Sequence, residues 1–265
     1  MAFMKRRHPF RAPDFAYRLY ARNLWRSLGA MSTRPQHIAM IIDGNRRWAR
    51  QLGLEDAAAG HRAGAAKMIE FISWCDRAGI GTVTLYLLSQ DNLRGRSPEE
   101  LRALMGIIGS LARDLAKNER WQVQHVGSSE GLDAGLVSTL EEIERTTEKA
   151  RGPHVNLAIG YGGRNEIVDA MRAIVRDYAD QGGSVAELAD ILTPELIGEH
   201  LYTGGQPDPD LVIRTSGEQR LSDFMLWQAA HSEFYFVEAL GPDLREVDFL
   251  RALRDYATRN RRYGQ

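Results

Sequence analysis

Residues 37–49 read His37-Ile38-Ala39-Met40-Ile41-Ile42-Asp43-Gly44-Asn45-Arg46-Arg47-Trp48-Ala49. An apolar run over 37–42 stops at an Asp-Gly-Asn turn and passes at once into a segment with two arginines. This predicts a short strand that delivers an acid, a glycine and two cations to the start of a helix. Backbone N–H groups at a helix start bind phosphate, and a glycine there lets the chain come close to its ligand. Arg46 and Arg47 can add charge-assisted hydrogen bonds. A carboxylate at a phosphate site repels the ligand unless a cation lies between them. Asp43 is therefore a candidate Mg²⁺ ligand, because that hard ion favours oxygen and phosphate partners. The plainer alternative is a capped turn with solvated arginines.

Outward from this stretch, strands alternate with helices. Further strands are predicted at 82–88, 123–126, 155–159, 211–213 and 234–236, six with the first. Helices are predicted at about 61–78, from Pro98 onward, and at 132–149, 164–178 and 249–259. The alternation argues for one α/β domain with a central, mostly parallel six-stranded sheet flanked by helices. Ligands of such sheets bind at the C-terminal ends of the strands. The informative turns are thus 43–45, 89–92, 160–163 and 214–217.

The last of these turns opens a second candidate site. A strand over 211–213 leads into Arg214, and Arg220 and Ser222 follow across a turn of small residues. Two arginines and a hydroxyl can close around a diphosphate. Glu233, just before an aromatic strand, could supply a second metal oxygen. Ion pairs on a surface loop are the alternative, less convincing once two phosphate-type turns share one sheet.

Composition narrows the function classes. The chain has 265 residues with 34 Lys plus Arg against 35 Asp plus Glu. Cys75 is the single cysteine, which excludes an intrachain disulfide and a Cys-based zinc site and predicts a reducing, cytoplasmic compartment. No apolar run is long enough to span a bilayer, and no signal-peptide core opens the chain. There is no P-loop, no dinucleotide fingerprint and no Asp-Asp pair. Gly127-Ser128-Ser129-Glu130-Gly131 fits a nucleophile elbow by pattern, but no acid and histidine follow in context. Ser128 or Ser129 reads better as a helix cap, and Cys75 as core.

The N-terminal 34 residues stand apart. They carry Lys5, Arg6, Arg7, Arg11, Arg18, Arg22, Arg26 and Arg34 against Asp14 alone. Arg18, Arg22 and Arg26 share one helical face, beside Tyr17, Leu24, Trp25 and Leu28. Such an arm can lie on an anionic membrane or pack its aromatic residues on the protein. The acidic remainder of the chain argues against nucleic acid as a partner. The expected division is a basic arm over 1–34 and a catalytic domain over 35–265.

Taken together, 37–49, 156–170 with Gly160-Tyr161-Gly162-Gly163-Arg164, and 207–236 resemble the signatures of the cis-prenyltransferases, the undecaprenyl diphosphate synthase family. The resemblance covers about residues 35–260 in order. It implies that family's fold, with a hydrophobic tunnel, and condensation of isopentenyl diphosphate onto an allylic diphosphate by an Mg²⁺-using homodimer. It further implies that Asp43 is the metal-linked catalytic residue, that Gly44, Asn45, Arg46, Arg47 and His61 lie at the allylic diphosphate, and that Trp48 belongs to the substrate-binding set. Arg214, Arg220 and Ser222 then belong to isopentenyl diphosphate. Ser89 and Asn92 help to bind and orient the reacting groups, and Glu233 is a metal-linked acid near the dimer interface. The tail Arg262-Tyr263-Gly264 resembles one that reaches across the dimer, which adds Arg262 and Gly264 to the binding set.

Departures from the family pattern are informative. Asp91-Asn92-Leu93 stands where Glu-Asn-Trp is usual, so a stacking aromatic is missing. Ala57 replaces a common arginine, and Gln219 stands where some members have histidine. The arginine that follows Asn92 is Arg94 or Arg96. Leu87 occupies a place where long-chain members often have alanine. A bulky Leu87 beside Leu93 resembles the actinobacterial short-chain members, which form Z,E-farnesyl diphosphate from geranyl diphosphate.

Overall fold

The computed structural model describes residues 14–29 and 33–259, which fall into two compact units. One contains Pro35–Leu244; the other joins the described parts of Met1–Arg34 and Arg245–Gln265. Helix α1 (Asp14–Gly29) belongs to the smaller unit, and the chain then enters the larger one at β1 (His37–Ile41). There follow α2 (Asn45–Gln51), α3 (Ala57–Ala78), β2 (Thr82–Ser89), α4 (Gln90–Gly95), α5 (Pro98–Ala116) and β3 (Gln122–Val126). Next come α6 (Ala134–Thr147), β4 (His154–Tyr161), α7 (Gly163–Asp180), α8 (Val185–Ile191) and α9 (Pro194–Glu199). Strands β5 (Leu211–Arg214) and β6 (Glu233–Phe236) complete the larger unit, and α10 (Glu246–Thr258) returns to the smaller.

The larger unit is a single α/β domain. Its six strands lie in the order β3-β4-β2-β1-β5-β6, and every neighbouring pair is parallel. All five residues of β1 are buried, as are seven of the eight in β4. Strands covered on both faces need such apolar runs. Strand β2 lies on one side of β1 and β5 on the other. That reversal of direction opens a crevice at the C-terminal ends of these strands, where α/β sheets bind ligands.

Several boundaries differ from the sequence expectation for local reasons. Helix α3 begins at Ala57 because Asp56 caps it, its carboxylate accepting from Ala58 N at 2.8 Å. Asp133, rather than Ser128 or Ser129, caps α6 by accepting from Gly135 N and Leu136 N. Ser128 Oγ instead accepts from Glu130 N within the preceding turn. Helices α8 and α9 were not expected, although Ser184-x-x-Glu187 forms a capping box and Thr193-Pro194 a capped helix start.

In the smaller unit α1 packs on α10. The Arg245 guanidinium lies 4.5 Å from the Tyr17 ring centre, and that of Arg251 lies 5.3 Å from Tyr20. Trp25 Nε1 donates to Glu246 Oε1 at 2.9 Å. The aromatic side of α1 is thus engaged within the chain, while Arg22 and Arg26 remain exposed. No described helix is long and apolar enough to cross a membrane.

Candidate active site

The β1–α2 turn depends on Gly44, which adopts φ 98°. A Cβ there would lie 2.7 Å from Leu240 Cδ2 and 3.2 Å from Ser216 Cβ, so conformation and space both demand glycine. Beneath the turn, α3 approaches Asn45 closely through Gly60 and Gly64. A Cβ at Gly64 would sit 2.4 Å from Asn45 Oδ1.

Strand register brings the two candidate sites together. Ile41 pairs with Arg214, so Asp43 emerges beside the end of β5. Thr215 Oγ1 accepts from Asp43 N and donates to Asp43 O, each at 2.8 Å. Arg214 Nη2 donates to Asp43 Oδ2 at 2.9 Å, and Arg214 Nη1 donates to Ser222 Oγ at 2.8 Å and to the Arg220 carbonyl. Burial pulls the Asp43 pKa upward. Hydrogen bonds from Arg214 and from Gly44 N–H, with the charges of Arg214 and Arg47, outweigh it and hold the carboxyl below its ordinary value.

One cavity of about 810 Å³ contains most of the candidate residues. Asp43, Gly44, Asn45, Arg46, Arg47, His61, Leu87, Ser89, Asn92, Arg96, Arg214, Arg220 and Ser222 all line it. Arg94 and Arg96 line different depressions. Arg96 lines the cavity, where its Nη1 lies 3.4 Å from His61 Nε2 and 3.0 Å from Glu100 Oε1. Arg94 lines a separate depression with Arg164 and Asp223, and bonds to Gln90. Ser89 contributes structurally as well, since its Oγ accepts from Asn92 N and so caps the helix bearing Asn92.

Other candidates lie elsewhere. Trp48 and Leu93 do not line the cavity; Leu93 points toward Gly160. Glu233 pairs in register with Leu211, at the opposite end of β5 from Arg214, and is not brought to Asp43 within the chain. Arg262 and Gly264 fall outside the described residues.

The cavity also has walls that the motifs did not disclose. Helix α3 supplies Ala65 and Met68; α5 supplies Leu104, Ile107, Ile108 and Leu111. The spacing of the α5 residues is a helical apolar stripe, a pattern that sequence alone cannot distinguish from ordinary core. Burial and the neighbouring Arg96 charge, only partly offset by Glu100, lower the His61 pKa to about 4. His61 is therefore neutral at neutral pH.

The central motif supports the second phosphate-type turn from behind. Ser222, Asp223 and Met225 all have positive φ, at 51°, 63° and 47°, which is costly for residues with a Cβ. Gly163 N donates to Asp223 O, Met225 N to Tyr161 Oη, and Tyr86 Oη to Ser222 O. Tyr161 Oη in turn donates to the buried Glu166 carboxylate. Burial raises the Glu166 pKa against the lowering effect of its hydrogen bonds from Tyr161, Gln228 and Tyr202 N.

Comparison with known proteins places the chain in a family. Residues 41–264 match the family model described as putative undecaprenyl diphosphate synthase. The chain is 57% identical over 230 residues to isoprenyl transferase 1 of Streptomyces avermitilis, covering 87% of this chain and 89% of that protein. It is 49% identical over 260 residues to a protein of Mycolicibacterium smegmatis named (2Z,6E)-farnesyl diphosphate synthase, covering 97% and 98%. Among solved structures, lavandulyl diphosphate synthase from Lavandula x intermedia, in complex with dimethylallyl diphosphate, superimposes with TM-score 0.81 at 35% identity, covering 88% of this chain and 99% of that one. With a family model matched over most of its length and relatives about half identical across nearly the whole chain, the chain belongs to the undecaprenyl diphosphate synthase family of prenyltransferases.

Proposed function

We propose that this prenyltransferase makes a short product: it condenses isopentenyl diphosphate with geranyl diphosphate to give Z,E-farnesyl diphosphate. The observation that carries this reading is Leu87 in the wall of the cavity that also holds both arginine sets. Each CH₂ of a growing tail gains about 0.8 kcal/mol on burial, so an isoprene unit gains roughly 3–4 kcal/mol in an open tunnel. A leucine in the path removes that gain and adds about 1–3 kcal/mol of strain. The name of the Mycolicibacterium smegmatis relative supports the same product.

In this reading Arg46, Arg47, His61 and Arg96 hold the allylic diphosphate, and Arg214, Arg220 and Ser222 hold isopentenyl diphosphate. The C1–oxygen bond of the allylic diphosphate breaks and leaves an allylic cation. The double bond of isopentenyl diphosphate attacks C1, and a proton is then lost. Fixed guanidinium groups stabilise the negative charge that develops on the departing diphosphate. Asn92 orients the reactants, and the apolar walls from α3 and α5 keep water from the cation.

The donor set suits Mg²⁺ brought in with substrate. Among the described residues no group of three or more His, Cys, Asp or Glu could hold a metal ion. Mg²⁺ commonly takes only one or two carboxylates and completes its shell with phosphate oxygens and water. Asp43, in the cavity beside the arginines, fits that pattern. When bound by Asp43 and the diphosphate, the ion would neutralise charge on the leaving group.

We further propose a cytoplasmic homodimer, in which Glu233 and the tail at Arg262 and Gly264 act across the subunit interface. A peripheral membrane contact would use the exposed Arg22 and Arg26, because the α1 aromatics are engaged by α10. The decisive assay incubates the purified protein with Mg²⁺, geranyl diphosphate and isopentenyl diphosphate and separates the products by chromatography. A single fifteen-carbon product is expected. A long-chain ladder or an irregular coupling product rejects the short-chain reading, and no product rejects catalysis by the chain alone.

A further inference from the structure

Arg47 and Arg220, assigned above to different diphosphates, hold the same carboxylate. Glu218 Oε1 lies 3.6 Å from Arg47 Nη1, and Glu218 Oε2 pairs with Arg220 Nη1. Arg47 also lies 3.8 Å from Asp43, which pairs with Arg214, and Arg214 hydrogen-bonds the Arg220 carbonyl. These contacts link three arginines and two carboxylates in a ring, which the Arg220 backbone carbonyl closes. The two acids differ in freedom. Asp43 is held by Arg214 and by Gly44 N–H. Glu218 sits in the turn between the two sites, held by ion pairs to Arg47 and Arg220 on a side chain one methylene longer than that of Asp43.

We propose that Glu218 is a shared counter-anion that couples the two diphosphate sites, an inference that rests on the site assignment under Proposed function. Glu218 pairs with both Arg47 and Arg220. A diphosphate arriving at Arg47 competes with Glu218 and repels it, since both are anions at close range. One carboxylate serves both arginines, so its departure from Arg47 also loosens its hold on Arg220. The first ligand bears the cost of displacing Glu218, and the second meets a released guanidinium. Thermodynamic linkage makes this reciprocal, whichever diphosphate binds first.

The test is calorimetric titration of the whole protein, in Mg²⁺, with an allylic diphosphate analogue whose C1-bridging oxygen is sulfur. Affinity is measured alone and in saturating isopentenyl diphosphate, for the wild type, Glu218→Gln and Arg47→Ala. Glu218→Gln is expected to bind the analogue about two- to fivefold more tightly to the empty protein, the range of a partly exposed ion pair. The ratio of affinities with and without isopentenyl diphosphate should fall by the same factor relative to the wild type. Arg47→Ala should bind the analogue more weakly. A damaged fold would weaken binding, so the expected gain has the opposite sign. If Arg47→Ala weakens binding but Glu218→Gln neither tightens it nor lowers the ratio, the coupling role is overturned and the site assignment stands. If Arg47→Ala binds as the wild type does, the assignment falls and the coupling role with it.

Discussion

Arg214 Nη2 donates to Asp43 Oδ2 at 2.9 Å, joining two residues 171 positions apart at the ends of adjacent parallel strands. The Arg214 side chain is only 4% exposed, whereas that of Asp43 is 33% exposed. Asp43→Ala therefore leaves a buried guanidinium without its anion and removes the carboxylate proposed above to hold Mg²⁺. The expected stability loss is about 1–2 kcal/mol, smaller than for a wholly buried pair because water screens Asp43. The expected fall in kcat is roughly 10²- to 10³-fold. Thermal denaturation and steady-state kinetics check both, and full activity in this variant contradicts the mechanism.

Leu87→Ala opens the cavity wall. An added isoprene unit should then recover part of its roughly 3–4 kcal/mol of burial. Products longer than the wild type's are expected on chromatography with the same primer. An unchanged product distribution assigns chain-length control elsewhere in the wall.

Tyr161→Phe removes the hydroxyl that accepts from Met225 N and donates to Glu166. Both partners are buried, and an orphaned buried polar group costs about 1–3 kcal/mol. Because Ser222, Asp223 and Met225 hold left-handed backbone within four residues, the loss should reach the proposed isopentenyl diphosphate site. A raised KM for isopentenyl diphosphate is expected, with a smaller change for the allylic substrate. Equal changes for both substrates would argue against a selective support.

His37 predicts a pH dependence of stability. It is fully buried, with Nδ1 donating to the Pro207 carbonyl at 2.7 Å and Nε2 accepting from Thr84 at 2.8 Å. Burial lowers its pKa to about 4 from 6.5, against smaller raising effects of Pro207 and Asp210. The unfolded chain therefore binds a proton more readily than the fold does. The full stability is present above pH 6.5 and is lost as pH falls toward 4, by about 2 kcal/mol between pH 7 and 5. His37→Gln should flatten the dependence of melting temperature on pH across that interval. A profile as steep as the wild type's would assign the loss to other groups.

Much of this molecule is legible in its sequence because the signals are local. The apolar runs at 37–42 and 82–88 mark strands by composition, and Pro98 and Gly44 mark a helix start and a turn by their own backbone preferences. Asp43, Arg47, Arg214 and Arg220 declare anion chemistry by residue type at strand ends. Even α8 was locally encoded, in the Ser184-x-x-Glu187 box.

Other features depend on which distant segments meet. Arg94 and Arg96 differ by two positions, yet of the two only Arg96 lines the cavity beside Asp43. Glu233 resembles a metal-linked acid, but strand register sets it beside Leu211 and away from Asp43 within the chain. Tyr161 and Glu166 act on Ser222 through a contact with Met225, 64 residues from Tyr161. The sequence alone determined the order of strands and helices and the kind of ligand that the strand ends attract, because composition and spacing set local conformation and charge. Only the tertiary structure decided which arginines share one cavity, which helices wall it and which carboxylate bridges its cations, because those contacts exist only after the parallel strands have paired in register.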